Sequence, residues 1–220
     1  RCDWLLMLDD DSQPVDTRFL DRLIAAPVDV GAITADITLP NGRRESGGLP
    51  EVPVGCGVAV RTELFLTLGG YDPSFNYYAE EYDLAARIIA AGYRIAFEPA
   101  FRVLHRKVAS NRDFGVILGR LVRNNGWVIQ RYAPDAVRDD AMLEMLRRYE
   151  CIADHEGVRD AFRCAATELD RTLAGQPCRT LGAAEWDRFT GLSHARAAVR
   201  AVFEAGFGAA SITQRGKHAE

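Results

Sequence analysis

The segment Trp4-Leu-Leu-Met-Leu-Asp-Asp-Asp-Ser12 joins a short, continuous apolar run to three acidic residues. An uninterrupted apolar run of this length is typical of a strand that is buried on both faces. Ligands of α/β proteins bind just beyond the carboxyl ends of such strands. We therefore predict that Asp9, Asp10 and Asp11 lie beside a ligand at the end of a buried strand.

Three consecutive carboxylates repel one another, and a divalent cation relieves that repulsion. On an extended backbone Asp9 and Asp11 would point to the same side and could face one ion. Carboxylate oxygens suit Mg²⁺ or Mn²⁺, which bridge phosphate oxygens. The alternative is a solvated acidic turn in which Asp11 or Ser12 caps the next helix.

The pattern around this segment alternates strands and helices, which indicates an α/β fold. Beyond Asn111 the sequence predicts only helices rich in Ala and Arg. We predict a catalytic domain over 1–110, a helical extension over 111–208 and a disordered tail over 209–220. Within the first domain, strands are expected at 4–8, 31–39, 57–60, 93–97 and 101–105, helices at 17–26, 62–68 and 80–91, loops at 42–53 and 71–78, and a break at Glu98-Pro99.

Composition excludes several classes of protein. The 220 residues are 48% apolar and 26% charged, as in a globular protein, and no apolar stretch is long enough to cross a membrane. A net charge of −4 argues against a nucleic-acid partner. The five cysteines form no C-x-x-C pair, which argues against a zinc site or a disulfide scaffold and favours a cytoplasmic location.

A second acidic cluster, Glu80-Glu-Tyr-Asp-Leu-Ala-Ala-Arg87, begins a predicted helix. Asp83 and Arg87 are four residues apart, so we expect a structural ion pair between them, with Glu80 on the same face. Glu81 points elsewhere, toward the aromatic loop, where an unpaired carboxylate could serve as a base. The alternative is that acids in the first turn only complement the helix dipole.

Taken together, residues 4–107 resemble the acceptor-side half of family 2 glycosyltransferases, which have the GT-A fold. Six segments carry the resemblance in the right order and spacing, beginning with the D-x-D region at 4–12 and including an E-D-x-D-L-x-x-R region. The other five segments are Gly55-Cys-Gly-Val-Ala-Val-Arg61, Gly69-Gly-Tyr-Asp-Pro-Ser-Phe75, Glu80–Arg87, Ala91-Gly-Tyr-Arg94 and Val103-Leu-His105. The implied fold is a partial, Rossmann-like GT-A mixed sheet flanked by helices.

The resemblance also implies roles for individual residues. Asp9 and Asp10 would contact the nucleotide, and Asp9, Asp11 and His105 would hold Mg²⁺ or Mn²⁺. Glu81 occupies the position of the family's catalytic Asp, and one more methylene must be accommodated there. The glycines Gly55 and Gly57 would let the backbone approach the donor sugar, whereas their alternative role is a bulge or close strand packing.

The implied reaction is a single inverting displacement that moves a sugar from a nucleotide-sugar donor to a hydroxyl of a glycan or a lipid-linked acceptor, as in polysaccharide biosynthesis. The βαβ half that binds the base and ribose in this family is missing. We therefore expect that the chain is a fragment, or that a partner supplies those strands. A non-catalytic scaffold domain and a sugar-1-phosphate nucleotidyltransferase are the alternatives.

Residues 112–132 form an amphipathic pattern, with eight apolar side chains on one face and arginines opposite. The expected role is packing against the catalytic domain. The alternative is peripheral contact with an anionic membrane at its inner face, near a lipid-linked acceptor. The apolar stripes within 140–208 predict further packed helices and carry no recognisable chemistry.

Overall fold

A computed structural model of the chain describes residues 2–45, 48–107 and 113–206. Six strands form one mixed sheet in the order β1-β5-β3-β6-β2, with β4 paired to β3. The pairing of β3 with β6 is parallel, and the other pairings are antiparallel. The strands are β1 (Trp4–Met7), β2 (Ser12–Pro14), β3 (Val30–Thr38), β4 (Arg44–Glu45), β5 (Val58–Arg61) and β6 (Arg94–His105).

Eight α-helices surround the sheet within the described residues, and single 3₁₀ turns precede β5 and α3 at Gly55–Gly57 and Pro73–Phe75. None of these helices is both long enough and apolar enough to cross a bilayer. The helices are α1 (Phe19–Ile24), α2 (Thr62–Thr67), α3 (Glu80–Ala90), α4 (Phe114–Tyr132), α5 (Asp135–His155), α6 (Arg159–Leu173), α7 (Ala183–Phe189) and α8 (Leu192–Glu204).

The sheet contributes to two apolar cores. In one core, α1 packs against the central strands, and the rings of Phe19 and Phe101 stack with centroids 4.5 Å apart. In the other, α3 is buried between the sheet and α4, together with residues of α6 and α7. The α/β fold is therefore confirmed. The predicted boundary at 110/111 stays a prediction, and the helices beyond it share a core with the sheet.

Helix α7 is also held beside the sheet by an ion pair whose carboxylate is buried. Arg188 of α7 donates Nε and Nη2 to the two carboxylate oxygens of Glu51, at 3.0 and 2.7 Å. Glu51 in turn accepts a hydrogen bond from the backbone N–H of Ile95 in β6. Although burial opposes ionisation, these hydrogen bonds lower the pKa of Glu51, so its carboxylate is charged.

Two predicted features of the strands are wrong. Glu98-Pro99 does not end a strand, because β6 continues from Arg94 to His105. Ala35 pairs with Glu98 and the next residue of β3 pairs with Arg102, so residues 99–101 form a bulge that absorbs the proline. The predicted loop at 42–53 contains the short strand β4.

The amphipathic segment forms a helix, but its apolar side is occupied. Leu118 and Val122 are buried against α5 and α6, and Val128 and Tyr132 are buried beside α3. The expected packing role therefore accounts for most of the stripe. The alternative of a peripheral membrane contact through 112–132 stays a prediction, and Phe114 at the start of the stripe is 37% exposed. The tail predicted over 209–220 lies outside the described residues.

Candidate active site

The three aspartates lie in a turn rather than on an extended backbone. The N–H of Ser12 donates to the carbonyl of Asp9 at 3.0 Å, and the Ser12 hydroxyl accepts from the N–H of Asp9 at 2.8 Å. The expected extended geometry is thus wrong, and so is the capping alternative, because Ser12 begins β2 instead of a helix. The turn still directs Asp9 and Asp11 toward the same histidine.

His105 ends β6, and its ring lies between two carboxylates. Its Nδ1 is 2.6 Å from Oε2 of Glu45, and its Nε2 is 3.2 Å from Oδ1 of Asp11. Burial opposes the charge of Glu45, but hydrogen bonds from Lys107 and His105 lower its pKa, so Glu45 is an ionised acceptor. Nδ1 is thus placed to donate to Glu45, and Nε2 faces Asp11.

A carboxylate oxygen and a ring nitrogen at this distance can share either a proton or a bound cation. Asp9 belongs to the same group, since ligand atoms of Asp9, Cys56 and His105 lie within 4.8 Å of one another. Burial raises the pKa of the Cys56 thiol to about 12, so this sulfur is a neutral neighbour. Asp9 and His105 thus lie close enough to share a ligand, and Asp11 contacts His105 from another side. Their oxygen and nitrogen atoms are donors that Mg²⁺ or Mn²⁺ accepts, and a metal held by Asp9, Asp11 and His105 together stays a prediction.

Glu45 is a site residue that the sequence did not indicate. It belongs to a two-residue strand within a polar stretch, and it reaches His105 only because β3 pairs with both β4 and β6. A carboxylate that orients a metal-binding histidine is a recurrent feature of metal sites. No local pattern in 42–53 distinguishes this glutamate from a solvated one.

Glu81 lies in the first turn of α3, and its carboxylate contacts the backbone next to β5. The N–H of Gly55 donates to Oε1 of Glu81 at 3.2 Å. A Cβ atom at position 55 would lie 2.7 Å from that same oxygen, so a side chain there would displace the carboxylate from its present position. Burial, with the negative charge of Glu80 as the second cause, raises the pKa of Glu81 to about 7. This carboxylate can therefore take up and release a proton near neutral pH.

The remaining predicted site residues have different surroundings. A Cβ atom on Gly57 would lie 3.0 Å from side chains of Ala35 and Ile37, so this glycine serves close packing within the sheet. Asp10 is exposed, and its charge contributes to raising the pKa of Asp9, of which burial is the main cause. Contacts of Asp10, Gly55 and Gly57 with a nucleotide or a donor sugar stay predictions.

The expected ion pair of α3 is confirmed and is part of a larger buried network. Nε of Arg87 donates to Oδ2 of Asp83 at 2.8 Å. The other oxygen of Asp83 accepts from Arg131 at 2.9 Å and from the hydroxyl of Tyr132 at 2.7 Å. The two partners from α4 were not predicted, and the network fixes α3 and α4 against each other.

The three groups of residues meet at one end of the sheet. Met7, next to the acidic turn, pairs with Val58, which follows the 3₁₀ turn containing Gly55. Ser12 pairs with His105. Strand pairing therefore brings the acidic turn, the histidine and the backbone that contacts Glu81 to the same end of the sheet, as expected for an α/β ligand site.

Comparison with known proteins agrees with this architecture. No family model matches the chain. The O-antigen biosynthesis protein RfbC of Myxococcus xanthus is 28% identical over 142 residues, which is 49% of this chain and 11% of that protein. The rhamnosyltransferase WbbL of Escherichia coli K12 is 35% identical over 60 residues, which is 27% of this chain and 23% of that protein. The chain thus corresponds to a minor part of either curated relative.

Among solved structures, GalNAc-T7 with UDP, GalNAc and Mn²⁺ superposes with a TM-score of 0.52 at 15% identity. The match covers 79% of this chain and 41% of that one. Together with the sequence relatives, this likeness confirms the resemblance that the six segments carry. The chain therefore has a GT-A-like fold and is similar in sequence to glycosyltransferases, while membership of family 2 stays a prediction.

Proposed function

We propose that this chain carries the acceptor-side active site of an inverting, metal-dependent glycosyltransferase. The observation that carries the proposal is that two features lie together at one end of the sheet. One is the half-buried carboxylate of Glu81, whose pKa is raised to about 7. The other is a cluster of possible metal ligands, in which Asp9 and Asp11 each lie near His105. The proposal is also supported by the names of the sequence relatives, which are an O-antigen biosynthesis protein and a rhamnosyltransferase.

In the proposed reaction, an acceptor hydroxyl attacks the anomeric carbon of the donor sugar. A new C–O bond forms while the bond from that carbon to the diphosphate oxygen breaks, so the configuration inverts. Glu81 takes the hydroxyl proton, and its Oε1 is held for this role by the N–H of Gly55. The nucleoside diphosphate leaves with the bonding electron pair.

Asp9, Asp11 and His105 would hold Mg²⁺ or Mn²⁺, which when bound supplies positive charge to the departing diphosphate. Glu45 keeps the ring of His105 in one orientation through Nδ1. The acceptor would be a glycan or a lipid-linked sugar, and it would enter beside the aromatic loop. Tyr77 is the exposed aromatic residue there, with 55% of its surface accessible.

The test is release of nucleoside diphosphate from a panel of UDP-, GDP- and dTDP-sugars by the full-length protein that contains this chain. We expect release that needs Mn²⁺ or Mg²⁺, that stops with EDTA and that increases with an acceptor glycan. Separately, titration with Mn²⁺ followed by electron paramagnetic resonance measures binding of the ion without any reaction.

Matched variants distinguish catalysis from folding. Asp11→Asn should weaken Mn²⁺ binding, whereas Glu144→Gln, on an exposed position of α5, should change neither binding nor release. Intact Mn²⁺ binding with no release from any donor would favour the scaffold alternative. Release that is equally fast in EDTA would refute metal dependence.

A further inference from the structure

The segment between the second 3₁₀ turn and α3 has an unusual backbone. Asn76, Tyr77, Tyr78 and Ala79 have φ values of 47°, 83°, 72° and 66°, so four consecutive non-glycine residues are left-handed. L-residues adopt this conformation singly and at a cost, because Cβ approaches the following carbonyl. A run of four persists only where surrounding groups hold it, and such strain is concentrated at functional sites.

One side chain of α4 holds this run. The amide Nδ2 of Asn124 donates to the carbonyl oxygens of Phe75, Tyr77 and Tyr78, at 2.9, 3.1 and 2.6 Å. Asn124 has no accessible surface. Its Oδ1 accepts from Nε of the neighbouring Arg123 at 2.9 Å, and this bond fixes which end of the amide faces the run.

The run leads directly into the candidate base. The carbonyl of Ala79 accepts the N–H groups of Tyr82 and Asp83, so the geometry of Ala79 sets where the first turn of α3 begins. Glu81 lies within that turn. The same run presents Tyr77, whose ring meets that of Tyr78 edge-on at 4.5 Å. A shift of the run would therefore move both the carboxylate and the tyrosine.

We propose that Asn124 is a positioning residue for sugar transfer: by holding the carbonyls of Tyr77 and Tyr78 within the strained run Asn76–Ala79, and that of Phe75 just before it, Asn124 places Glu81 and Tyr77 for the acceptor. The inference rests on the proposed function for the role of Glu81, while the contact between Asn124 and the run is independent of it. It also gives the helical region beyond residue 111 a part in the reaction.

The test compares Asn124→Ala with Asn125→Ala in the full-length protein. Asn125 is the matched control, because its amide bonds to Leu121 and Tyr149 within the helical region and not to the run. We expect Asn124→Ala to lower kcat about 100-fold, the effect of a displacement of about 1 Å, with an unchanged KM for the donor. Asn125→Ala should keep kcat within about twofold of the parent.

Rescue tests the cause of the loss. Glycine adopts left-handed conformations without strain, so Asn76→Gly with Ala79→Gly should restore most of the kcat lost in Asn124→Ala. If Asn124 only filled space in the core, relief of backbone strain in the run would not restore kcat. If Asn124→Ala alone does not fold, recovery of folding by the two glycines supports the proposal, and failure to recover overturns it.

Limited digestion with chymotrypsin gives a measurement that needs no substrate. Cleavage after Tyr77 or Tyr78 should accelerate in Asn124→Ala and stay slow in Asn125→Ala. If the parent transfers no sugar from any donor, the proposed function fails, and digestion alone then decides whether Asn124 holds the run. Equal cleavage rates in the two variants, or an unchanged kcat in Asn124→Ala, would overturn the proposal.

Discussion

Replacing Glu81 by Gln should separate catalysis from stability. Gln retains the size of the side chain and an oxygen that can accept from Gly55, but it cannot accept a proton at neutral pH. We expect transfer to fall by about 10²- to 10⁴-fold, the usual contribution of a general base, with Mn²⁺ binding unchanged. In the parent, kcat/KM should rise with pH through about 7, the pKa of Glu81.

The same variant has a predictable effect on the free energy of unfolding. The pKa of Glu81 is about 7 in the folded chain and 4.5 ordinarily. The folded state therefore holds the proton more tightly, and the stability this provides is complete below pH 4.5 and lost as pH rises through 7. At about 1.4 kcal/mol per pH unit, and with a discount for the partial solvent exposure of the carboxylate, the parent should lose about 2 kcal/mol between pH 5 and pH 8.

Glu81→Gln has no such ionisation, so urea unfolding should show the variant gaining about 2 kcal/mol on the parent between the two pH values. Glu144→Gln, on the exposed side of α5, is the control and should show no gain. The reasoning is refuted if the stability difference between Glu81→Gln and the parent is the same at pH 5 and pH 8. It is refuted equally if the variant transfers sugar at the parental rate.

Three further predictions concern the surroundings of the site and the helical region. Glu80→Gln removes a charge that raises the pKa of the candidate base, so the rise of kcat/KM with pH should shift to lower pH; an unshifted or more alkaline profile contradicts this. Glu45→Ala removes the carboxylate that orients the histidine, so Mn²⁺ affinity measured by electron paramagnetic resonance should fall about 10- to 100-fold, and unchanged affinity would exclude the supporting role. Gly126→Ala places a Cβ 2.4 Å from Leu169, so the free energy of unfolding should fall by about 1–3 kcal/mol. In the control Gly119→Ala the new Cβ lies 3.9 Å from its nearest neighbour, and no such loss is expected. Equal effects of the two variants on urea unfolding would refute the packing argument.

Local sequence patterns predicted the parts of the fold that depend on local rules. The apolar run at 4–8 predicted β1, and helix punctuation predicted α3, which ends before Gly92 at φ 83°. The i, i+4 spacing gave the Asp83–Arg87 ion pair. Each of these features is determined within a few residues of chain.

The features that were missed depend on contacts between distant segments. Proline usually ends a strand. Here β6 pairs with its parallel partner β3 both before and after Pro99, because a bulge at residues 99–101 accommodates the proline. Glu45 contacts His105, which is 60 residues away in sequence, and only the pairing of their strands with β3 brings the two together. Asn124 lies in a helix whose pattern predicts only an apolar stripe, and nothing in that pattern indicates carbonyls from a left-handed run.

The ion pair of Glu51 and Arg188 has a consequence for synthesis on the ribosome. The two residues are 137 positions apart, so the carboxylate is made long before its cation. A buried carboxylate without a partner is strongly unfavourable, and long-range contacts form late. The nascent chain should therefore keep the segment around Glu51 open until α7 leaves the exit tunnel. Completion of the sheet would then be timed by translation of the helices that follow it.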